Sequence, residues 1–141
     1  MLTRKQLESI PSIRRRIERL KGKLQERPAL SGLRYSESET RSGGSAYSQL
    51  EELVLWREKI SSQIITEYKR LSSLQTEIYA FIKSLDSERQ KEIVEMHCID
   101  GLTFEEIGIR TSWSPTTVKR HYYQAVRKLS YQNGRNGRNG R

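Results

Sequence analysis

The sequence predicts an all-α protein: a long heptad helix plus an N-terminal helix, as a coiled coil or a helical hairpin, followed by a C-terminal helix-turn-helix. Three observations carry this reading. Ile10, Ile13, Ile17, Leu20 and Leu24 alternate by three and four, the seam of a coiled-coil or bundle helix. Leu50, Arg57, Ile64, Leu71, Ile78 and Leu85 stand seven apart, and so do Leu53, Ile60, Glu67, Leu74 and Phe81. Between Gly101 and Leu129 there are two helix starts, each written in capping chemistry.

The first segment, residues 1–27, reads as a basic amphipathic helix from about residue 3. Pro11 either starts it or kinks it, and Pro28 stops it. Residues 28–45 are rich in Ser and Gly without periodicity, which predicts a linker. Residues 46–85 form the long helix. Its heptads are interrupted chemically only at Arg57 and Glu67. A helix this long cannot bury its seam alone. It needs either the N-terminal helix of the same chain or a second copy. In an antiparallel homodimer centred near residue 62, Arg57 would face Glu67; folding of the N-terminal helix onto the same seam is the competing arrangement.

Residues 86–131 hold the remaining helices, expected at about 87–98, 104–111 and 115–130. Thr103 followed by Glu106 is a capping box: the hydroxyl accepts from an orphan amide and the carboxylate reaches back to the cap residue's own N–H. Ser114 followed by Pro115 is the second start, since proline at the first helical position loses no hydrogen bond. Leu102 with Ile107 and Trp113 with Val118 have staple spacing. Two short helices so close together, the second studded with base, have the layout of a helix-turn-helix. Residues 132–141 end in three copies of Asn-Gly-Arg with no packing residues, predicting a disordered basic tail.

The run from Ser84 to Leu129 resembles region 4 of the sigma-70 family of transcription initiation factors. The resemblance is carried by Leu85, Arg89 and Ile93, by Gly101, Leu102, Thr103, Glu105, Glu106 and Ile107, and by Ser114, Val118, Ala125 and Leu129. It implies DNA binding, and it also implies contact with RNA polymerase. The whole layout is similar to small phage and prophage transcriptional regulators of the ArpU and RinA kind. Two positions depart from the family pattern. Ser112 stands in the turn where glycine is usual, at a cost of about 1 kcal/mol or more for a left-handed residue. Thr111 replaces a usual leucine, leaving Trp113 to supply apolar cover. Nothing upstream resembles the sigma region that opens the −10 element, so a complete sigma factor is not expected.

A helical wheel from Pro115 places Val118, Tyr122, Ala125 and Leu129 on the packing face. The opposite face carries Thr116, Arg120, Tyr123, Gln124 and Arg127, with Lys119 at its edge. The first turns of a recognition helix approach base edges, so Thr116, Thr117, Lys119 and Arg120 are the candidates there. Tyr123, Arg127 and Lys128 are the candidates for phosphate.

Charge agrees with a polyanionic partner. Of 141 residues, 26 are Lys or Arg and 17 are Asp or Glu, a net charge of +9. Residues 1–27 and 101–141 each carry +6, and residues 28–100 carry −3. The hydrophobic fraction of 34% leaves little for a large catalytic core. No nucleophile–base arrangement, phosphate loop or convergent carboxylate set is present, so no enzyme and no cofactor is expected. His97 and Cys98 are adjacent, but neighbouring side chains on a helix diverge, and no second pair accompanies them. A metal site is therefore not expected. With no apolar span, no signal-peptide core and one cysteine, the expected setting is cytoplasmic. The function expected is a sequence-specific transcriptional regulator binding double-stranded DNA. The alternative is a DNA-recruiting assembly protein such as a phage terminase small subunit, with a purely structural coiled coil third.

Overall fold

A computed structural model describes residues 2–26 and 43–138, with side chains described from residue 48 to 134 in the second stretch. The fold is all-α, with no strand among the described residues. Among the described residues six α-helices follow in order: α1 Arg4–Leu7, α2 Ile10–Glu26, α3 Gly43–Lys83, α4 Glu88–Val94, α5 Phe104–Thr111 and α6 Pro115–Arg138. No helix is long and apolar enough to cross a membrane among the described residues. The chain divides into two compact units, one of Met1–Arg14 with Arg70–Arg141 and one of Arg15–Lys69.

The first helix expected from the sequence is in fact two. Thr3 and Gln6 form a complete capping box, Gln6 N–H donating to Thr3 Oγ1 at 3.2 Å and Thr3 N–H to Gln6 Oε1 at 2.9 Å. It starts the single turn α1, which breaks at Glu8 and Ser9. Pro11 explains the break: its ring would collide with the carbonyl of Leu7, four residues back. The chain therefore restarts at Ile10, with Ile13 N–H donating to Ser9 O at 3.1 Å.

In the Arg15–Lys69 unit, Ile17, Leu20 and Ile60 are buried. The heptad position Glu67 is buried too, 3.3 Å from the guanidinium Nε of Arg16 on α2. The ammonium of Lys21 stands 5.3 Å from the centre of the Tyr68 ring. Glu67 thus meets an arginine of the same chain, and Arg57 is exposed. The expected linker lies outside the described residues as far as residue 42. From Gly43 onward the chain is already helical, three residues before the expected start.

The other unit carries most of the core. Leu2, Leu7, Ile10 and Ile13 are buried, as are Ile78, Phe81, Ile82, Leu85, Ile93, Val94, Ile99, Ile107 and the inner face of α6. Each such side chain contributes about 1.5–3 kcal/mol when taken from water. Helices α4, α5 and α1 all pack on α6. Ser87 caps α4, its Oγ accepting from Gln90 N–H at 3.3 Å. The helix expected at 87–98 changes pitch after Val94: Glu95–Ile99 is a π turn. Asp100 N–H donates to Glu95 O at 3.1 Å and Leu102 N–H to Met96 O at 3.0 Å. The second bond closes over Gly101, whose φ of 74° is the left-handed conformation glycine adopts freely.

Helix α6 also outruns its expected end near residue 130, continuing to Arg138. The disordered tail expected at 132–141 is thus helical over 132–138. One side-chain bond in the extension reaches the N-terminal segment: Asn133 Nδ2–H donates to the carbonyl of Leu2 at 3.0 Å.

Candidate nucleic-acid interface

Helix α5 starts as the sequence predicts, with Thr103 Oγ1 accepting from Glu106 N–H at 3.2 Å. Only this hydroxyl half of the expected box is formed, and the Glu106 carboxylate stays exposed. Helix α5 ends at Ser112, whose φ of 61° and ψ of 24° are left-handed. The serine therefore adopts the glycine-type turn. Close approach is built in nearby: a β-carbon on Gly108 would stand 2.7 Å from the carbonyl oxygen of Trp113. A residue without a side chain lets the turn fold back over α5.

Helix α6 then begins at Pro115, with Ser114 Oγ accepting from Thr117 N–H at 3.2 Å. Val118, Tyr122, Ala125, Val126 and Leu129 are all buried. That is the predicted packing face with Val126 added at its margin. The rest of the helix surface falls into three groups.

Thr116, Arg120 and Arg127 are exposed along the centre of the outer face. On one flank Lys119 and Tyr123 gather around Phe104 of α5. The Lys119 ammonium is 5.9 Å from the Phe104 ring centre, and the Tyr123 and Phe104 ring centres are 6.3 Å apart. On the other flank the side chains turn to α4. Lys128 Nζ lies 3.7 Å from Asp86 Oδ2, and Gln90 Nε2–H donates to Gln124 Oε1 at 3.4 Å. Thr117 is half-buried, and its hydroxyl lies 2.9 Å from Ser114 Oγ within the cap. Of the seven predicted site residues, Thr116, Lys119, Arg120, Tyr123 and Arg127 share one open surface. Thr117 is half-buried with its hydroxyl in the cap, and Lys128 forms a solvent-exposed pair with Asp86, weak enough for a phosphate to replace the carboxylate.

Arg89 and His121 were not among those seven. The Arg89 guanidinium stacks on Trp113, 4.3 Å from the ring centre, a favourable cation–π geometry. His121 Nδ1 is buried with no hydrogen-bond partner among the described residues. Its pKa is lowered, first by burial and then by the charges of Arg89 and Arg120. Repulsion from both guanidinium groups marks a concentration of positive charge beside the start of α6. Arg89 was legible only as a position shared with the sigma pattern.

His97 and Cys98 have packing roles. His97 stacks on Phe104 with ring centres 4.4 Å apart and places Nδ1 2.8 Å from the carbonyl of Leu102. Cys98 is buried with its sulfur 3.9 Å from the Tyr122 hydroxyl. No group of three or more metal-ligating side chains forms among the described residues.

Residues 77–129 match the family model for sigma-70, region 4. The match runs from the end of α3 through α4, the π turn and α5 into α6, covering the capped turn and the buried face of α6. This part of the chain is a sigma-70 region 4-like helix-turn-helix, a DNA-binding domain with a transcription-related function. No curated protein and no solved structure matches the chain.

Proposed function

We propose that the chain is a sequence-specific transcriptional regulator that reads promoter DNA with α6. The observation that carries this reading is the outer face of that helix. Thr116, Arg120 and Arg127 lie open to solvent on a helix locked below by Val118, Tyr122 and Leu129. Arginine near the start of a groove-bound helix can pair with guanine O6 and N7, while basic residues further along meet phosphates. Arg89 extends the positive surface on the α4 side and Lys119 on the α5 side, with the Tyr123 ring beside it.

RNA polymerase is the second partner in this reading, on the strength of the likeness to region 4. The small phage and prophage regulators of the ArpU and RinA kind supply its biological setting. The assembly proposed is a homodimer through α3, which leaves Val54, Leu55 and Ile65 exposed. Sedimentation separates it from the packaging alternative: a dimer fits regulation, whereas a ring of about eight or more copies fits a terminase small subunit.

The deciding experiment selects a duplex from random sequence with the purified protein and then measures variants on it. Arg120→Ala should weaken binding by about 1–3 kcal/mol and relax preference at one base position. Arg127→Ala should weaken binding to all sequences alike and lower the salt slope by about one unit. Equal, sequence-independent losses from both would remove the base-reading role from Arg120.

A further inference from the structure

Leu2 to Arg14 lie outside the stretch that matches the sigma family, yet they belong to the same compact unit as α6. Their apolar side chains Leu2, Leu7, Ile10 and Ile13 are buried. Two hydrogen bonds pin this segment to α6 on either side of Tyr123 in sequence: Tyr122 Oη–H donates to Glu8 Oε1 at 3.0 Å, and Asn133 Nδ2–H to Leu2 O at 3.0 Å. Arg14 adds a third tie, its guanidinium donating to the carbonyl of Ile99.

With its backbone held, α1 presents Arg4 in a defined place. The guanidinium carbon stands 5.5 Å from the centre of the Tyr123 ring. Tyr123 adjoins Phe104, and Phe104 adjoins the Lys119 ammonium. Arg4, Tyr123, Phe104 and Lys119 thus form one row, two cations enclosing two rings, along the exposed flank of α6. Lys5, the next residue on α1, is exposed. Glu8 lies 3.7 Å from Arg4 Nε, but in an exposed pair of this kind the attraction is small and a phosphate can replace the carboxylate. A guanidinium stacked on a ring has already lost part of its side-chain freedom, while its N–H donors at the edge stay available to an anion.

We infer that α1 is a second DNA-contacting element, with Arg4 and Lys5 gripping the sugar–phosphate backbone beside the groove that α6 enters. The contact is to phosphate and carries no base preference. It rests on the DNA reading proposed above.

The test uses the full-length chain, a duplex carrying the selected site and a duplex of random sequence, with affinity measured against salt. The double variant Arg4→Gln, Lys5→Gln should flatten the slope of log affinity against log salt by about one to two units on both duplexes. The ratio of the two affinities should stay at the wild-type value. Arg4→Lys, which keeps the charge, should keep the slope. Lys5→Gln alone leaves the Arg4 contacts with Tyr123 and Glu8 in place and should still lower it, by about one unit. Wild-type slopes in the double variant and in Lys5→Gln, or losses confined to the selected duplex, would overturn the inference while leaving the recognition reading intact. Failure of the wild-type protein to bind either duplex would overturn both.

Discussion

The hydroxyl of Tyr122 donates a hydrogen bond to the Glu8 carboxylate at 3.0 Å, joining α6 to a turn 114 positions earlier in the chain. Its ring is buried, edge-on to His97 with centres 4.8 Å apart, and burial raises the phenol's pKa so that the hydroxyl stays a donor. Tyr122→Phe keeps the ring and removes only the donor, while the exposed Glu8 remains solvated. The expected loss of stability is about 1 kcal/mol, read as a lower urea midpoint with an unchanged slope.

Ser112 should respond in the opposite sense. Its φ of 61° suits glycine, so Ser112→Gly should stabilise the protein by up to about 1 kcal/mol, the left-handed penalty less the added freedom of the unfolded chain. A β-branched residue there should be worse than serine. Thermal unfolding of Ser112→Gly and Ser112→Val, expected to shift in opposite directions, checks the sign.

Gly108 marks the tightest approach in the helix-turn-helix. Gly108→Ala places a methyl group 2.7 Å from a backbone oxygen that has no flexible end to move aside. The cost expected is about 1–3 kcal/mol, as for other overpacked sites. Because the displaced group is Trp113, just before the Ser114 cap, DNA affinity should fall further than stability alone explains. Binding measured well below the melting temperature would separate the two effects.

Acidification should weaken the fold through His121. Its folded pKa is lowered, by burial first and by Arg89 and Arg120 next, so below about pH 6.5 the unfolded chain takes up a proton that the folded chain resists. Stability contributed by the neutral ring is therefore complete above that range and falls as pH drops through it. His121→Gln should flatten the stability profile between about pH 7 and 5. Identical profiles for wild type and variant in urea titrations would exclude the effect.

What could be read from the sequence was local. The Thr103 and Ser114 caps, the proline start of α6 and the four-three-four spacing of Val118, Tyr122, Ala125 and Leu129 all act within one or two turns, where residue type decides geometry. The features missed depend on partners far along the chain. The break after Leu7 precedes a segment anchored by Glu8 to Tyr122, and the extended α6 meets Leu2 through Asn133. The π turn at Glu95–Ile99 leaves no mark on the apolar pattern, because one residue inserted into a helix this short resembles ordinary scatter in spacing. Of the candidate site, the outer face of α6 was legible from periodicity. The engagement of Lys128 with Asp86 and of Arg4 with Tyr123 was not, since both require helices to be brought together first.

The single thiol gives the protein a built-in stopwatch. Cys98 is 1% exposed, and burial pushes its pKa up to about 12, so neither access nor thiolate is on offer while the surrounding helices are closed. Chemical labelling at this sulfur can proceed only through transient opening, and its rate counts those openings. A ligand that grips the closed form must slow the count in proportion to its occupancy. Any DNA sequence, or any protein that docks on these helices, can thus be ranked by a chase with a coloured disulfide reagent, with no tag or engineered residue added.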